Sequence, residues 1–255
     1  MREKYKKEML YFASDFHLGL HNQDVNAQEQ KILNFLEHAR KNNAEKIFLV
    51  GDVFDFWFEY KRVVPKGYFR LFSKLYDLHC DGIKVYMFKG NHDMWMLDYF
   101  EKECGVEIIS DELIFEHNNK KFFVHHGDGL GPGDRSYKVL KKVFRSRLNR
   151  WLFSRLHPNF ALGMGAFLSK RSRLAKKDFE KENQYLGDDK EFLTQFCKAK
   201  LAEGVEIDYF IFGHRHLPID LNIGQSKYIN LGEWIHCNSY AVFDGCELKL
   251  LYWND

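Results

Sequence analysis

The sequence predicts an α/β protein in which two β-sheets pack face to face and are flanked by helices. Over the first 90 residues, short apolar runs alternate with segments of helical periodicity, which is typical of a parallel sheet with crossover helices. From 106 to 125, and again from 208 to 253, short apolar runs are separated by turns, which indicates a second sheet. A long helical segment separates these last two regions.

The individual elements follow from periodicity and from turn residues. Strands are predicted at 9–14, 46–50, 83–88, 106–109, 112–116 and 121–125. Helices are predicted at 26–41, where Ile32, Phe35, Leu36 and Ala39 recur, and at 67–79, where Tyr68, Leu71, Phe72 and Leu75 recur. Turns are predicted at Asn118-Asn119, 222–224 and Asp244-Gly245, since these residue types favour the tight turns of hairpins.

Residues 131 to about 195 are predicted to form a helical cap inserted into a single domain of residues 1–255. Gly131-Pro132-Gly133 opens the segment, and helical periodicity follows. Its apolar positions are predicted to lie on one stripe, made of Val139, Leu140, Val143, Phe144, Leu148, Trp151 and Leu152. We expect the cap to lie over a functional site.

The charge of the chain is concentrated in this segment, although the net charge is only +2. From Arg135 to Lys177 there are 13 Lys or Arg and no acid, which leaves 25 basic against 36 acidic residues elsewhere. Basic and apolar residues interleaved in this way suit a membrane surface or an anionic lipid head group. A plain solvated helix face is the alternative. Nucleic acid is the competing anion, but no stacking platform is evident, so we expect no nucleic-acid partner, and no obligate protein partner is evident.

The composition is that of a globular protein, with 45% hydrophobic residues and five scattered cysteines. Because no two cysteines have redox or zinc-finger spacing, they indicate free thiols in a reducing compartment. No stretch approaches the roughly 20 apolar residues that span a bilayer. We therefore expect a cytoplasmic protein that contacts the inner face of a membrane peripherally.

Five polar motifs each follow an apolar run, and they share the residue types that bind metal ions. They are Asp15-Phe16-His17, Gly51-Asp52, Gly90-Asn91-His92-Asp93, His126-Gly127-Asp128 and Gly213-His214-Arg215-His216. Ligands of α/β sheets gather at the carboxyl ends of strands, so these side chains are expected to converge. Each motif alone is weak evidence, since most Asp-x-His pairs lie on protein surfaces, but five in succession argue against coincidence.

The converging side chains are oxygen and imidazole donors, which favour Mn²⁺, Fe²⁺, Zn²⁺ or Mg²⁺ over thiolate-bound metals. Two such ions can share a carboxylate, activate water and stabilise the leaving oxygen of a phosphoryl transfer. Asp52 is the best candidate for the shared carboxylate because it ends the central one of the first three strands.

The ordered series D-x-H, G-D, G-N-H-D, H-G-D and G-H-x-H resembles that of the calcineurin-like metallophosphoesterases, over essentially the whole chain outside the insertion. The resemblance implies the α/β/β/α sandwich of that family and a hydrolase with two divalent ions, most simply Mn²⁺. It also implies the ligands, with Asp15, His17 and His216 on one ion, Asn91, His126 and His214 on the other, and Asp52 on both. His92 matches the family's phosphate-contacting or acid histidine, and Asp93 would orient it.

Three longer stretches are similar to UDP-2,3-diacylglucosamine hydrolases. They are Gly51-Asp52-Val53-Phe54-Asp55-Phe56-Trp57, His126-Gly127-Asp128-Gly129-Leu130 with Asp134 and Tyr137 after it, and Leu231-Gly232-Glu233-Trp234. The similarity implies cleavage of a pyrophosphate in a nucleotide-linked acyl sugar, which releases UMP and a diacylated sugar phosphate in lipid A synthesis. The best-known members of this group have Arg where His92 stands.

The expected substrate contacts come partly from this resemblance and partly from the basic composition of the cap. Asp134 and Tyr137 match positions of the group, whereas Arg171, Arg173, Lys176 and Lys177 are expected to meet a sugar phosphate or lipid head groups. Two alternatives remain at this point. One is a soluble metallophosphoesterase that acts on nucleotides or phosphodiesters, and the other is a non-catalytic metal-binding scaffold.

Several neighbouring residues are expected to support the site without binding metal. Asp55 and Asp128 lie too far along their loops to be assured ligands, and the role expected for them is to orient the ligands. His125 is predicted to be a core or supporting residue, because neighbours on a strand point to opposite faces. His117 is expected to be solvated. Trp57 and Trp234 could be core residues or could line the substrate pocket.

Overall fold

The computed structural model describes residues 9–20, 24–132, 135–175, 184–188 and 190–254, and over these ranges the chain forms two mixed β-sheets. The strands are β1 (Met9–Ala13), β2 (Ala44–Leu49), β3 (Lys84–Phe88), β4 (Glu107–Ile109), β5 (Leu113–His117), β6 (Lys120–His125), β7 (Tyr209–Phe212), β8 (Pro218–Ile223), β9 (Ser226–Leu231), β10 (Ser239–Phe243) and β11 (Leu248–Tyr252). The helices are α1 (Val25–Lys41), α2 (Phe69–Cys80), α3 (Tyr99–Cys104), α4 (Arg135–Arg145), α5 (Arg147–Phe153), α6 (Pro158–Ala175) and α7 (Phe192–Ala202).

The first sheet has the order β11-β10-β1-β2-β3-β4 and the second the order β5-β6-β7-β9-β8. Strands β1 to β4 are parallel to one another, and β6, β7 and β9 are parallel in the second sheet. The predicted two-sheet α/β sandwich is confirmed. Three strands that the sequence assigned to the second sheet lie in the first. Strand β4 pairs with β3, and β10 and β11 return beside β1 in antiparallel pairing.

The apolar runs are continuous because the central strands are buried on both faces. In β1, Leu10 and Phe12 face the second sheet, whereas Tyr11 and Ala13 face the helices. This alternation follows from the two-residue period of a strand. The core therefore has one layer between the two sheets and one layer on the outer face of each.

Helices α1, α2 and α3 cover the outer face of the first sheet, and α7 covers that of the second. The periodic residues of α1, from Ile32 to Ala39, are fully buried, as predicted. The helix begins after Asp24, whose carboxylate accepts hydrogen bonds from the amides of Asn26 and Ala27. Such a cap satisfies amides that have no partner within the first turn of a helix.

Helices α4, α5 and α6 lie in the insertion between β6 and β7. The helix is interrupted at Ser146, which separates α4 from α5. The predicted single apolar stripe is therefore divided over two helices. Most of its side chains are exposed, including Leu148 and Trp151, but Phe144 packs against Trp95 of the sandwich. Leu193 on α7 is fully buried on the second sheet, so the sandwich resumes slightly before the predicted boundary at 195. The assignment of 1–255 to one domain stays a prediction.

Local details both confirm and correct the expected elements. The turn at Asn118-Asn119 forms, with φ values of 50° and 59°. The turn expected at 222–224 lies later, because β8 runs to Ile223. His117 is buried against Phe243 rather than solvated.

Two further expectations concern the core and the helices. Trp57 and Trp234 are core residues, at most 2% exposed. Among the described residues, no helix combines the length and hydropathy needed to cross a bilayer.

Candidate metal centre

Strand register brings the five polar motifs to one edge of the sandwich. Ala13 lies opposite Leu49, and Leu49 lies opposite Met87, so the loops that carry the first three motifs leave the first sheet side by side. In the second sheet, His125 lies opposite Phe212. The fourth and fifth motifs therefore also begin at neighbouring positions, which is the convergence that the sequence predicted.

The loops at this edge have an uncommon backbone conformation. Positive φ angles occur at five of the seven predicted metal ligands, namely Asp15, His17, Asp52, His214 and His216. For residues with a β-carbon such angles are uncommon and cost about 1–3 kcal/mol when strained. Backbone strain at these five residues therefore accompanies the orientation of their side chains toward one another.

Two glycines allow the loops to approach one another closely. A β-carbon on Gly51 would collide with the ring of His126, and one on Gly90 would collide with the side chain of Asp52. Gly51 also has a φ of 83°, which glycine adopts without strain. These positions explain why Gly precedes the polar residue in the second and third motifs.

The first cluster of donor atoms consists of Asp15, His17, Asp52 and His216, whose ligand atoms lie within 4.8 Å of one another. The Nε2 atoms of His17 and His216 are 3.2 Å apart. His216 Nε2 lies 3.0 Å from Asp15 Oδ1, and His17 Nε2 lies 3.9 Å from Asp52 Oδ2. Apart from His216, these side chains are buried.

The second cluster consists of Asp52, His126 and His214, with the Asn91 amide beside them. His126 Nε2 lies 3.3 Å from Asp52 Oδ2 and 3.3 Å from Asn91 Oδ1. His214 Nδ1 lies 2.8 Å from the same Asn91 oxygen. Asp52 is thus the carboxylate that the two clusters share, and all seven predicted ligands are brought together.

The donor set fits divalent cations for a reason visible at His126. Its Nδ1 lies 2.8 Å from the carbonyl oxygen of Val50 and donates to it, so in the neutral ring the lone pair on Nε2 faces Asp52. Metal-binding histidines commonly have their second nitrogen held in this way. In addition, Asp15 Oδ1 and Asp52 Oδ2 are buried without a well-formed hydrogen bond, and buried carboxylate oxygens require a positive partner.

The pKa values of the side chains in this site show how strongly its buried charged groups interact. Burial disfavours the charged form of His126, but nearby carboxylates, led by Asp52, outweigh burial and raise its pKa to about 10. Burial and the charge of His126 lower the pKa of His214 to about 3. Burial raises the pKa of Asp15, but His216 and His17 outweigh it and hold the pKa well below its ordinary value.

His92 lies beside this centre, with its ring 4.9 Å from that of His17. Its Nδ1 lies 2.8 Å from the backbone carbonyl oxygen of Asp55. The family resemblance implied that Asp93 orients the ring of His92. In the structure the Asp93 carboxylate instead accepts hydrogen bonds from the amides of Gly90 and Val53. Asp93 therefore ties the loops after β2 and β3 together, because a buried carboxylate is stabilised by several amide donors.

Asp55 and Asp128 lie in the loops of the second and fourth motifs, and the ligand-orienting role expected for them stays a prediction. Asp55 Oδ1 lies 3.8 Å from Nδ1 of His17. Asp128 accepts a hydrogen bond of 2.7 Å from the hydroxyl of Tyr137 and pairs with Lys141 at 2.7 Å. Both partners lie on α4, so Asp128 joins the insertion to the loop that follows β6.

The predicted substrate residues are only partly within the described ranges. Tyr137 lies near the centre, with its ring 6.3 Å from that of His214. Arg171 is exposed on α6. Asp134, Lys176 and Lys177 lie outside the described residues. His125 is buried, and its Nδ1 accepts a hydrogen bond from the amide of Gly127, which agrees with the supporting role expected for it.

Sequence reasoning missed two sets of supporting residues. Arg215, between the two histidines of the fifth motif, pairs with the buried Glu191 at 3.1 Å. Ser169 on α6 contacts both Asp55 and His92. The position of Arg215 inside a motif was a usable signal, but a serine within a basic helix carries none.

Comparison with known proteins agrees with this geometry. Residues 9–218 match the sequence profile of the calcineurin-like phosphoesterase family. The match covers most of the chain and includes every proposed ligand. The chain therefore belongs to this family, and it is a hydrolase whose cofactors are divalent metal ions.

Individual relatives are similar over nearly their full length. A UDP-2,3-diacylglucosamine hydrolase of Porphyromonas gingivalis is 37% identical, with 96% of this chain and 97% of that protein covered. One of Histophilus somni is 25% identical, with 88% and 91% covered. The solved structure of an archaeal phosphodiesterase aligns with 95% of this chain and 98% of that chain, at 14% identity and a TM-score of 0.49.

Proposed function

We propose that this chain hydrolyses the pyrophosphate bond of UDP-2,3-diacylglucosamine, releasing UMP and a diacylated glucosamine 1-phosphate for lipid A synthesis. The observation that carries the substrate is the 37% identity to the hydrolase of Porphyromonas gingivalis over almost all of both chains. The reaction type is supported by the shared Asp52 and by the complete set of donor side chains around it.

The proposed ligands divide into two sets with one member in common. Asp15, His17 and His216 would hold one ion, Asn91, His126 and His214 would hold the other, and Asp52 would contribute to both. Oxygen and imidazole donors of this kind suit Mn²⁺. When bound, the two ions activate water and neutralise the charge that develops on the phosphoryl oxygens.

The protein's own residues orient the reacting groups. The oxygen of water forms a bond to one phosphorus and gives up a proton to the solvent, the bridging P–O bond breaks, and the leaving phosphate keeps the electron pair. His92 donates from Nδ1 to the carbonyl of Asp55, which leaves Nε2 to contact the phosphoryl group. A positioned histidine of this kind contributes about 10²–10⁴-fold to rate.

The cap is proposed to bind the lipid part of the substrate at the inner face of a membrane. Leu140, Val143, Leu148, Trp151 and Leu152 are each 43% to 63% exposed, although apolar side chains of this size are usually buried. Arg171, Lys176 and Lys177 supply positive charge for the sugar phosphate or for anionic lipids. We propose that Asp134 and Tyr137 contact the substrate, and Tyr137 lies beside His214.

The test is a comparison of substrates with the purified Mn²⁺-loaded protein. UDP-2,3-diacylglucosamine should be hydrolysed to UMP far more efficiently, as kcat/KM, than UDP-N-acetylglucosamine or bis-p-nitrophenyl phosphate. Turnover confined to water-soluble nucleotides or diesters would favour the soluble phosphoesterase, and no turnover of any of the three would favour the non-catalytic scaffold.

A further inference from the structure

Ser169 connects the cap to the residue that is proposed to meet the phosphoryl group. It lies on α6 and is 8% exposed. Its Oγ is 3.0 Å from Asp55 Oδ2 and 3.2 Å from His92 Nδ1. A hydroxyl that reaches two polar groups at these distances can hold both in place, because it donates one hydrogen bond and accepts others.

The direction of each hydrogen bond follows from the chemistry of the partners. The carbonyl oxygen of Asp55 can only accept, so the Nδ1 of His92, at 2.8 Å from it, carries the proton. Ser169 donates to the Asp55 carboxylate and offers a lone pair to the same Nδ1–H. The Nδ1–H of His92 is thereby held in place, so the ring gains and loses a proton at Nε2, and Nε2 donates to a phosphoryl oxygen when it carries that proton.

The Asp55 carboxylate does not reach His92 without the serine. Asp55 Oδ1 lies 3.8 Å from His92 Nδ1, which is beyond hydrogen-bond distance. The Oγ of Ser169 is within hydrogen-bond distance of both groups, at 3.0 Å from Asp55 Oδ2 and 3.2 Å from His92 Nδ1. The hydroxyl of Ser169 thereby links the Asp55 carboxylate to the ring of His92.

The close approach of α6 depends on small residues at four-residue spacing, Ala161, Gly165 and Ser169. Positions i and i+4 of a helix lie on one face. A β-carbon on Gly165 would collide with the ring of Phe56, in the loop that also carries Asp55. Gly165 therefore lets the helix backbone approach this loop, and Ser169 reaches Asp55 one turn later.

We propose that Ser169 is a positioning residue, which holds the ring orientation and the Nδ1–H tautomer of His92. Through Ser169, both depend on the packing of α6 against the loop that carries Asp55. The inference rests on the proposed function only in that it takes His92 as the group that contacts the phosphoryl oxygen. It makes the insertion part of the catalytic arrangement, and not solely a surface for the acyl chains.

The experiment uses Ser169→Ala, which removes the hydroxyl, and Ser169→Thr, which retains it. The control is Ser154→Ala, since the hydroxyl of Ser154 bonds to the carbonyl of Trp151 within the cap. Melting temperatures first establish that the variants fold. Long-range ¹H–¹⁵N spectra of the diamagnetic Zn²⁺-loaded proteins then report the tautomer of His92, assigned by its absence in His92→Ala.

The expected result is that Ser169→Ala shifts the Nδ1 and Nε2 resonances of His92, whereas Ser169→Thr and Ser154→Ala leave them close to wild type. With bis-p-nitrophenyl phosphate, Ser169→Ala should lower kcat about tenfold with little change in KM, in line with the loss of one positioning hydrogen bond. In a His92→Ala background, the same substitution should have no further effect.

The proposal is overturned if the His92 resonances are the same in wild type and Ser169→Ala, or if Ser169→Ala lowers kcat equally with and without His92. The second result would mean that Ser169 only contributes to the packing of the cap against the sandwich. Because neither readout uses the acylated substrate, a failure of the UDP-2,3-diacylglucosamine assignment is distinguishable from a failure of this inference.

Discussion

Asp52 is the residue on which the whole centre depends. It is 1% exposed, and its Oδ2 lies 3.3 Å from His126 Nε2 and 3.9 Å from His17 Nε2. Its other oxygen accepts a hydrogen bond from the amide of His92. One side chain therefore contacts both donor clusters and the loop of the proposed phosphate-contacting histidine.

Replacing Asp52 with Ala should remove the carboxylate that both ions share. The purified variant is expected to lose most of its bound metal and its turnover, as measured by elemental analysis and by UMP release. Asp220→Ala, which removes an exposed carboxylate on β8, is the control and should behave as wild type. Near-normal activity of Asp52→Ala would contradict the shared-carboxylate assignment.

His92 should affect rate without affecting metal content. Its Nδ1 is held by the Asp55 carbonyl, and it is not among the proposed ligands. His92→Ala is expected to keep its bound metal and to lose about 10²–10⁴-fold in kcat, the usual contribution of a general acid or base. If the variant loses metal and excess Mn²⁺ restores its rate, then His92 is a ligand.

At the scale of elements, the insertion is a set of helices anchored to the sandwich at a few points. Asp128 contacts Tyr137 and Lys141 on α4. The indole of Trp95 donates to the carbonyl of Phe144, so Phe144 belongs to the anchor and not to the open apolar surface. Phe153 at the end of α5 is a further anchor, because its ring packs against those of Phe58 and Trp95. The apolar side chains that stay exposed on α4 and α5 are Val139, Leu140, Val143, Leu148, Trp151 and Leu152.

Leu140→Ser combined with Val143→Ser should weaken binding of an acylated substrate. Both side chains are largely exposed, so folding is expected to be little affected. Each buried CH₂ contributes about 0.8 kcal/mol, and the loss of several such contacts should raise KM for the diacylated substrate about tenfold or more.

Two controls accompany this prediction. The same double variant should hydrolyse bis-p-nitrophenyl phosphate normally, and Phe69→Ser, which alters an exposed apolar residue on α2 outside the cap, should leave both substrates unaffected. An equal loss on both substrates in the double variant would show that these side chains do not contact the acyl chains.

At the scale of the whole molecule, the metal centre joins the two sheets. Asp15, Asp52 and Asn91 follow strands of the first sheet, whereas His126 and His214 follow strands of the second. Cations at the proposed site are therefore expected to stabilise the packing of one sheet on the other, because they would bind the folded state and not the separated sheets.

Removal of the metal should therefore lower stability as well as activity. Treatment with EDTA is expected to abolish turnover and to lower the melting temperature, and added Mn²⁺ should restore both. A ligand present at about 1,000 times its dissociation constant stabilises a protein by about 4.1 kcal/mol. A melting temperature that EDTA does not change would contradict a cation between the sheets, and Asp52→Ala should show only a small response.

The sequence by itself determined the parallel strands, the convergence of the polar motifs and the donor set. These depend on local periodicity and on the rule that ligands gather at the carboxyl ends of strands. The family and the position of the insertion were also predictable, since the motifs are short and keep their order.

Only the tertiary structure decided where distant segments meet. The return of β10 and β11 to the first sheet, the burial of His117 and the contact of Ser169 with Asp55 and His92 join residues far apart in the chain. The apolar pattern of a strand is the same in either sheet, so it does not show which sheet the strand joins. In the same way, the sequence around a serine on a basic helix does not show which residues its side chain contacts. Packing chooses among these alternatives through shape and burial, which the local pattern of residues does not encode.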